Sequence, residues 1–206
     1  MSSSHNSKCS PAQRRARQIG RWVASLLLLA TSVCGFPAGT SRAQEAPTEY
    51  QVKAAYLFNF LKFVEWPGDP VANTNGRWVI GIVGENPFGN DLAQAVSGKS
   101  VQGHLLEVRS FQSGEDLRAC QILYIGDSEK KRVASILSGL HGASVLTVAD
   151  TDRFIESGGM IQFVMEDKRV RFGIDVGAAS RARLKISSKL LSLAKTVTGT
   201  EQVGLN

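Results

Sequence analysis

Short apolar segments rich in β-branched residues alternate with helical patterns through the middle of the chain, and this alternation restricts the fold more than any other feature. Four segments predict strands: RWVIGIVG, HLLEVRSF, CQILYIG and ASVLTVAD. The segments ENPFGNDLAQAVSG and DSEKKRVASILSGL predict helices, the first with Asn86 as its cap and Pro87 as its first residue. Strands that alternate with helices indicate a mostly parallel sheet covered on both faces.

The segment GMIQFVMEDKRVRFGID predicts two further strands, joined by a turn at Glu166, Asp167 and Lys168. The segment after it, GAASRARLKISSKLLSLAKTV, is predicted to be mostly helical. We therefore predict an α/β fold with a mostly parallel central sheet of about five to six strands, helices on both faces and a late β-hairpin at one edge. A single domain would span residues 48–198, with a C-terminal tail at 199–206.

Residues 1–43 have the pattern of an export signal. A basic, Ser-rich stretch leads into the apolar run WVASLLLLATSVCG, and SRA follows before Gln44. The run is about fourteen residues long, which is shorter than the ~20 residues of a spanning helix. We expect cleavage near Ala43, a short polar lead at 44–47 and a periplasmic location. The alternatives are twin-arginine export through Arg14 and Arg15, lipidation of Cys34, and an uncleaved anchor.

The formal net charge of +6 belongs to this N-terminal segment. Residues 1–43 carry six Lys and Arg side chains and no acidic residue, while the rest of the chain carries 18 basic and 18 acidic residues. A domain that is neutral overall lacks the positive footprint of a nucleic-acid-binding protein. We therefore expect no nucleic acid among the partners of the mature chain.

Cleavage near Ala43 would remove Cys9 and Cys34 and leave Cys120 as the one cysteine of the mature chain. A single cysteine in an oxidising compartment is either buried and inert or free to pair between chains. Because Cys120 opens a strand-like apolar segment, we expect a buried, unpaired thiol and no disulfide within the mature chain. Pairing of two chains through Cys120 stays open.

The segment YQVKAAYLFNFLKFVEWP predicts a helix over residues 49–66, capped by Thr48. Its lysines, its glutamate and its short length argue against a membrane span. Most of its surface is apolar, which is typical of a helix packed inside a domain. Phe58, however, lies beside the polar arc, where an aromatic side chain suits a protein interface. That arc is formed by Gln51, Asn59, Lys62 and Glu65.

The mature sequence carries no pattern typical of an enzyme or a metal site. His104 and His141 lie outside any His or Cys cluster, and no nucleophile elbow surrounds Ser187 and Ser188. The glycines of GIVGENPFG match neither a dinucleotide fingerprint nor a phosphate-binding loop. We predict a protein that is not an enzyme and uses no metal or cofactor. Three carboxylates are expected in a solvated loop, those of Asp150, Asp152 and Glu156.

Two segments resemble the motifs of a known family. VKAAYLFNFLKFVEWP is similar to the opening motif of the YfiR-like family of bacterial periplasmic proteins, and LKISSKLLSLAKTV is similar to its closing motif. GENPFG and CQILYIG fit the strand ends between them, so the resemblance spans residues 48–197. It implies a non-enzymatic repressor that binds the periplasmic sensor part of an inner-membrane diguanylate cyclase and so lowers cyclic di-GMP and limits biofilm growth.

The resemblance, together with the helical wheel for Phe58, nominates residues that bind a partner or ligand. These candidates are Lys53, Phe58, Asn59, Lys62, Glu65, Ser187, Ser188 and Lys189. Tyr56 and Trp66 also belong to the opening motif but are expected to be structural. Family members often carry a cysteine in the first strand, placed to pair with the cysteine before LYI. This sequence has Gly81 there, so the resemblance implies no such bridge.

The resemblance also implies a set of partners. They are the periplasmic domain of an inner-membrane diguanylate cyclase or sensor kinase, an outer-membrane lipoprotein, and a second copy of the chain. An alternative function is a periplasmic small-molecule-binding module that feeds a sensor kinase or a transporter. Such a module would have an apolar cleft at the carboxyl ends of the strands, near residues 84–89.

Overall fold

The computed structural model describes residues 46–112 and 114–199. The export signal expected at residues 1–43 and residues 200–206 of the expected tail lie outside the described residues. None of the described helices has the length and the apolar character needed to cross a bilayer.

Short helices and strands alternate along the described chain. The α-helices are α1 (Glu49–Phe63), α2 (Asp91–Val96), α3 (Val133–Gly139), α4 (Val176–Arg181) and α5 (Ser188–Leu191). The strands are β1 (Val64–Glu65), β2 (Trp78–Val83), β3 (Ser100–Val101), β4 (His104–Phe111), β5 (Ile122–Ile125), β6 (Leu146–Ala149), β7 (Ile161–Glu166), β8 (Arg169–Asp175), β9 (Lys185–Ile186) and β10 (Thr196–Thr198).

Eight of these strands form one sheet in the order β10-β8-β7-β6-β5-β2-β4-β3. The pairs from β4 through β7 are parallel, β7 and β8 form an antiparallel hairpin, and β10 lies parallel to β8. The predicted α/β fold with a mostly parallel sheet is confirmed. Six strands have four or more residues, as expected, and the two-residue β3 and three-residue β10 extend the sheet at its two ends. The late hairpin is therefore separated from the edge by β10.

Helices cover both faces of the sheet, as predicted. One core cluster joins α1, α2, α4 and α5 to the strands, and the other lies under α3. All six residues of β2 are buried, because alternate side chains enter the two clusters. Ile80 and Ile82 face the α1 side, whereas Val79 and Val83 face the α3 side.

The first of the two middle helices begins later than predicted. Asn86 does not cap it: its Oδ1 accepts from the Phe88 N–H at 2.9 Å, and its Nδ2 donates to the Gly89 carbonyl at 3.2 Å. These bonds fold residues 86–89 into a turn, because an Asn side chain can satisfy its own local backbone. The helix α2 therefore begins at Asp91.

The two ends of the domain also differ from the prediction. α1 ends at Phe63 rather than at residue 66, because Val64 and Glu65 extend and pair with β9. The closing segment is not mostly helical, since it contains two short helices and two short strands. A left-handed backbone conformation at Arg183, with φ of 60°, follows α4 and leads the chain into β9.

Candidate functional site

The opening and closing motifs meet in a small antiparallel sheet. Val64 pairs with Ile186 and Glu65 with Lys185, and the Ser187 N–H donates to the Phe63 carbonyl at 2.9 Å. We call residues 63–65 and 185–187 the motif junction. It fixes the C-terminal end of α1 to the closing motif, which the sequence alone did not predict.

The closing-motif candidates lie at this junction and have local contacts. Ser187 Oγ accepts from the Leu190 N–H at 3.3 Å and caps α5, so its hydroxyl has a structural role. Ser188, the first residue of α5, is exposed. Lys189 is also exposed, and its Nζ lies 5.2 Å from the centroid of the Phe63 ring. The structure therefore brings Lys189 to the C-terminal end of the opening helix.

Lys53, in contrast, is buried at the other end of α1, with a side chain only 2% exposed. It belongs to the buried stripe of the helix, which consists of Lys53, Ala54, Leu57, Phe60 and Leu61. Its Nζ lies 2.5 Å from Glu49 Oε1 and 2.7 Å from Asp150 Oδ2. A buried ammonium is stable only with such partners. Lys53 thus belongs to an internal ion-pair group and offers little surface to a partner.

Two tyrosines complete this group, which we call the helix-anchoring cluster: Glu49, Tyr50, Lys53, Tyr124 and Asp150. The Tyr50 hydroxyl donates to Asp150 Oδ2 at 3.4 Å, and Lys53 Nζ lies 4.5 Å from the centroid of its ring. The Tyr124 hydroxyl is buried with no hydrogen-bond partner among the described residues. Tyr124 lies in β5 and Asp150 follows β6 directly, so the cluster joins α1 to the carboxyl ends of two parallel strands.

Burial and charge set the protonation states of the cluster. Burial by itself lowers the pKa of Lys53, but its hydrogen bonds to Asp150 and Glu49 outweigh that effect and raise the pKa above its ordinary value. Burial raises the pKa of Tyr124, and the negative charge of Asp150 adds to the rise. Near neutral pH the cluster therefore holds a cationic lysine and neutral tyrosines. Its geometry suits anchoring the helix, with no activated nucleophile.

The expectation that Asp150 lies in a solvated loop was wrong. Its side chain is 17% exposed and holds the Lys53 ammonium. The sequence contained a signal for this pair, since Lys53 falls on the apolar stripe of α1, where an ammonium requires a carboxylate. Asp152 and Glu156 are exposed, as expected, and Glu156 pairs with Arg153.

Phe58 lies between two lysines on the outer side of α1. Its ring centroid is 4.1 Å from Lys62 Nζ and 4.5 Å from Lys99 Nζ, within the range of cation–π contacts. The ring is half-buried and packs against the core, which agrees with the packing role, and its interface role stays a prediction. Lys62 and Lys99 are exposed, and within residues 46–112 and 114–199 no carboxylate lies in ion-pair range of either.

We call Phe58, Lys62 and Lys99 the lysine–phenylalanine patch. Lys99 was missed in the sequence, because it follows α2 and reaches the patch only through the packing of α2 on α1. Asn59 is half-buried beside it, and Glu65 is exposed at the motif junction. Of the candidate residues, Lys53 is thus buried near the N-terminal end of α1, and the others are half-buried or exposed towards its C-terminal end.

Cys120 is buried and free, and burial raises the pKa of its thiol to about 12. The thiol donates to the Leu117 carbonyl at 3.3 Å. Gly81 faces it: a Cβ added at Gly81 would lie 3.0 Å from Cys120 Sγ and 2.5 Å from Phe111 Cε2. The Phe111 ring thus occupies the space that a side chain at position 81 would need, and the thiol has no partner there.

The cleft expected near residues 84–89 exists but is not apolar. It has a volume of about 400 Å³ and lies between the loops that follow β2 and β5. Its polar groups are partly paired, since Ser128 Oγ accepts from the Glu85 N–H at 2.8 Å and Lys130 lies 3.2 Å from Asp127. Its lining residues are Glu85, Pro87, Asp127, Ser128, Lys130 and Lys131. No group of metal-binding side chains occurs among the described residues.

The sequence matches the pattern of the YfiR/HmsC-like family over residues 50–195, which include both motifs and the junction between them. The chain belongs to the YfiR/HmsC-like family. This is a regulatory family rather than a catalytic one.

A solved structure shows the same fold. It is a conserved domain protein from Vibrio cholerae O1 biovar eltor strain N16961, with a TM-score of 0.51 and 11% sequence identity. The similarity covers 73% of this chain and 60% of that chain, so this chain spans about 60% of that protein's length.

Proposed function

We propose that this YfiR/HmsC-like protein is a periplasmic regulator that binds the sensor part of an inner-membrane diguanylate cyclase and represses it. Family membership supports the regulatory role. The export-signal pattern of residues 1–43 supports the periplasmic location. N-terminal sequencing of the mature protein tests that location, and a first residue of Gln44 is the expected result.

The lysine–phenylalanine patch is the observation that carries this proposal. It combines a half-buried aromatic ring with two exposed ammonium groups that have no carboxylate partner among the described residues. Aromatic side chains are enriched at protein interfaces, and two exposed ammonium groups beside the ring favour an acidic partner surface. We therefore expect an acidic segment on the sensor part to dock against α1.

The two attachments of α1 would give this surface a fixed geometry. The helix-anchoring cluster holds its N-terminal end on the sheet, and the motif junction holds its C-terminal end. A rigid surface loses little conformational entropy on binding. Repression then follows as a population shift, because a regulator that binds the inactive sensor better than the active one favours the inactive state.

Calorimetric titration of the purified protein tests the proposal. The partners would be the periplasmic parts of the diguanylate cyclases and sensor kinases of the same cell. We expect saturable binding to a cyclase fragment, and a loss of about tenfold or more in affinity when Lys62→Glu and Lys99→Glu are combined. The control for a single charge reversal outside the patch is Lys131→Glu, at an exposed lysine in the loop after β5, and it is compared with Lys62→Glu alone.

The possible results test three things separately: the position of the interface, the identity of the partner, and the existence of the complex. Binding that is lost in the double variant but kept in the control would support the patch as the interface. Equal affinities for the double variant and the unmodified protein would place the interface elsewhere. Binding to a sensor kinase alone would replace the cyclase as partner, and no binding to any fragment would contradict the regulatory complex.

A further inference from the structure

A cleft of about 340 Å³ opens between α3 and α4, beside the first residues of β6 and the segment that precedes β7. It shares no residue with the lysine–phenylalanine patch or the helix-anchoring cluster. Its volume is at the lower end of the ~300–1,000 Å³ of small-molecule sites. Apolar side chains form much of its wall, among them Ala134, Leu137, Val145, Met160 and Ala178.

The ionisable side chains that line this cleft are basic. Arg181 and His141 are exposed and line it, and no carboxylate is among its lining residues. The Arg181 guanidinium has no ion-pair or hydrogen-bond partner within the part of the chain that the structure describes. A guanidinium without a protein partner beside an apolar cavity fits a ligand carboxylate, which it can bind with two parallel hydrogen bonds.

A buried hydroxyl is a second polar group in the lining of the cleft. Thr147 lines the cleft and is only 1% exposed, and its Oγ1 accepts from the Met160 N–H at 3.2 Å. Among the described residues, the Thr147 hydroxyl accepts this hydrogen bond and donates none. A buried donor of this kind gains stability when a ligand oxygen reaches it.

We propose that this cleft binds a small carboxylic acid with an apolar body. The apolar body lies against the walls between α3 and α4, and the carboxylate pairs with Arg181. The site is independent of the docking of a membrane sensor, and it would give the protein an input separate from the lysine–phenylalanine patch. This cleft is distinct from the cleft at the strand ends near residues 84–89, where the sequence placed a small-molecule site.

Methionine methyl groups provide a direct test. Met160 lines the cleft, whereas Met165 lies exposed in β7 and outside the cleft. In the purified protein with 13C-methyl methionine, titration with phenylacetate should shift the Met160 signal saturably and leave the Met165 signal unchanged. The variant Met165→Leu assigns the two signals. Because the probe is a small acid, the expected Kd is in the range of about 0.1–1 mM.

Two comparisons test the recognition of charge. Phenylacetamide, which has the same shape without the charge, and the variant Arg181→Gln should each weaken binding by about tenfold. Arg169→Gln, at an exposed arginine on the β7–β8 hairpin, is the matched control and should leave the affinity unchanged. Ala134→Phe should fill the entrance and abolish the Met160 shift without unfolding, because Ala134 is exposed.

Several results would overturn the proposal. One is a Met160 signal that does not move up to about 10 mM phenylacetate. Another is equal binding of the acid and the amide, or an affinity that Arg181→Gln leaves unchanged. None of these measurements uses a sensor fragment, so a failure here is distinguishable from a failure of the proposed regulatory complex.

Discussion

Lys53 and Lys62 belong to the same helix and the same motif, yet their environments are opposite. Lys53 is 2% exposed and lies between two carboxylates. Lys62 is exposed, and its Nζ lies 4.1 Å from the centroid of the Phe58 ring. At 1.5 Å per residue, about 13 Å of helix separates them. One lysine thus anchors the helix near its N-terminal end, and a second lysine faces solvent near its C-terminal end.

This difference divides the motif into a folding part and a surface part. The buried ammonium cannot reach a partner without leaving Asp150 unpaired, so its effect on function has to pass through stability. The exposed ammonium contributes little to stability, because water screens it. Variants of the two lysines should therefore separate stability from binding.

Lys53→Met should have the largest effect on stability. It leaves the carboxylates of Asp150 and Glu49 without their cation, and removing one partner of a buried ion pair costs about 3 kcal/mol or more. Chemical denaturation of the variant measures this loss in the free energy of unfolding. In the double variant Lys53→Met, Asp150→Asn the loss should be smaller, because the less exposed of the two carboxylates is removed. A loss below about 1 kcal/mol in the single variant would contradict the role of the cluster.

Alkaline pH should weaken the anchoring cluster selectively. Because the folded protein raises the pKa of Lys53, the stability from its ammonium is fully present below the ordinary pKa of 10.5. It is lost as the pH rises through the folded value. The difference in free energy of unfolding between the unmodified protein and Lys53→Met should therefore shrink above that pH.

The same series with Lys62→Gln is the control for this titration. Its difference from the unmodified protein should stay nearly constant, since Lys62 is exposed and has no carboxylate partner among the described residues. A parallel decline in both series would mean that the alkaline loss of stability does not come from the cluster. Tyr50, Tyr124 and Cys120 also have raised pKa values, and all three residues are present in each of the proteins compared.

The sequence predicted the long strands of the central sheet better than the short strands β1, β9 and β10. The alternation of strands and helices follows from apolar runs that are buried on both faces, as in β2, and such runs can be recognised locally. The short strands β1, β9 and β10 have two or three residues, and their pairing depends on segments distant in the chain. For this reason Val64 and Glu65 were predicted as helix, although they pair with residues 185–186.

The sequence identified the motif residues of the candidate site but not their arrangement in space. The family resemblance nominated Lys53 as a partner- or ligand-binding residue, whereas the structure places it on the buried stripe of α1. Its carboxylate partner is 97 residues away in the chain, and Lys99 reaches Phe58 only after α2 has packed on α1. Contacts of this kind are set by tertiary structure, which a single sequence does not contain.

Phe58→Ala should have an intermediate effect. The ring is half-buried against the core and also lies under two ammonium groups, so its loss should cost about 1–2 kcal/mol. Thermal denaturation measures the change. Phe58→Leu keeps most of the apolar contact and removes the cation–π contacts, so it should recover more than half of the stability. If Phe58→Ala leaves the melting temperature unchanged, the ring contributes nothing to the core.

Lys62→Gln should have the smallest effect on stability, below about 0.5 kcal/mol, because an exposed lysine without a carboxylate partner contributes little to folding. Its effect on the proposed complex should be larger, since docking removes water from the patch and strengthens its electrostatic contacts with an acidic surface. Denaturation and titration of the same preparation measure both quantities. If stability and affinity fall together, Lys62 contributes to folding, as Lys53 does. If affinity falls alone, the two lysines of one motif have separate roles.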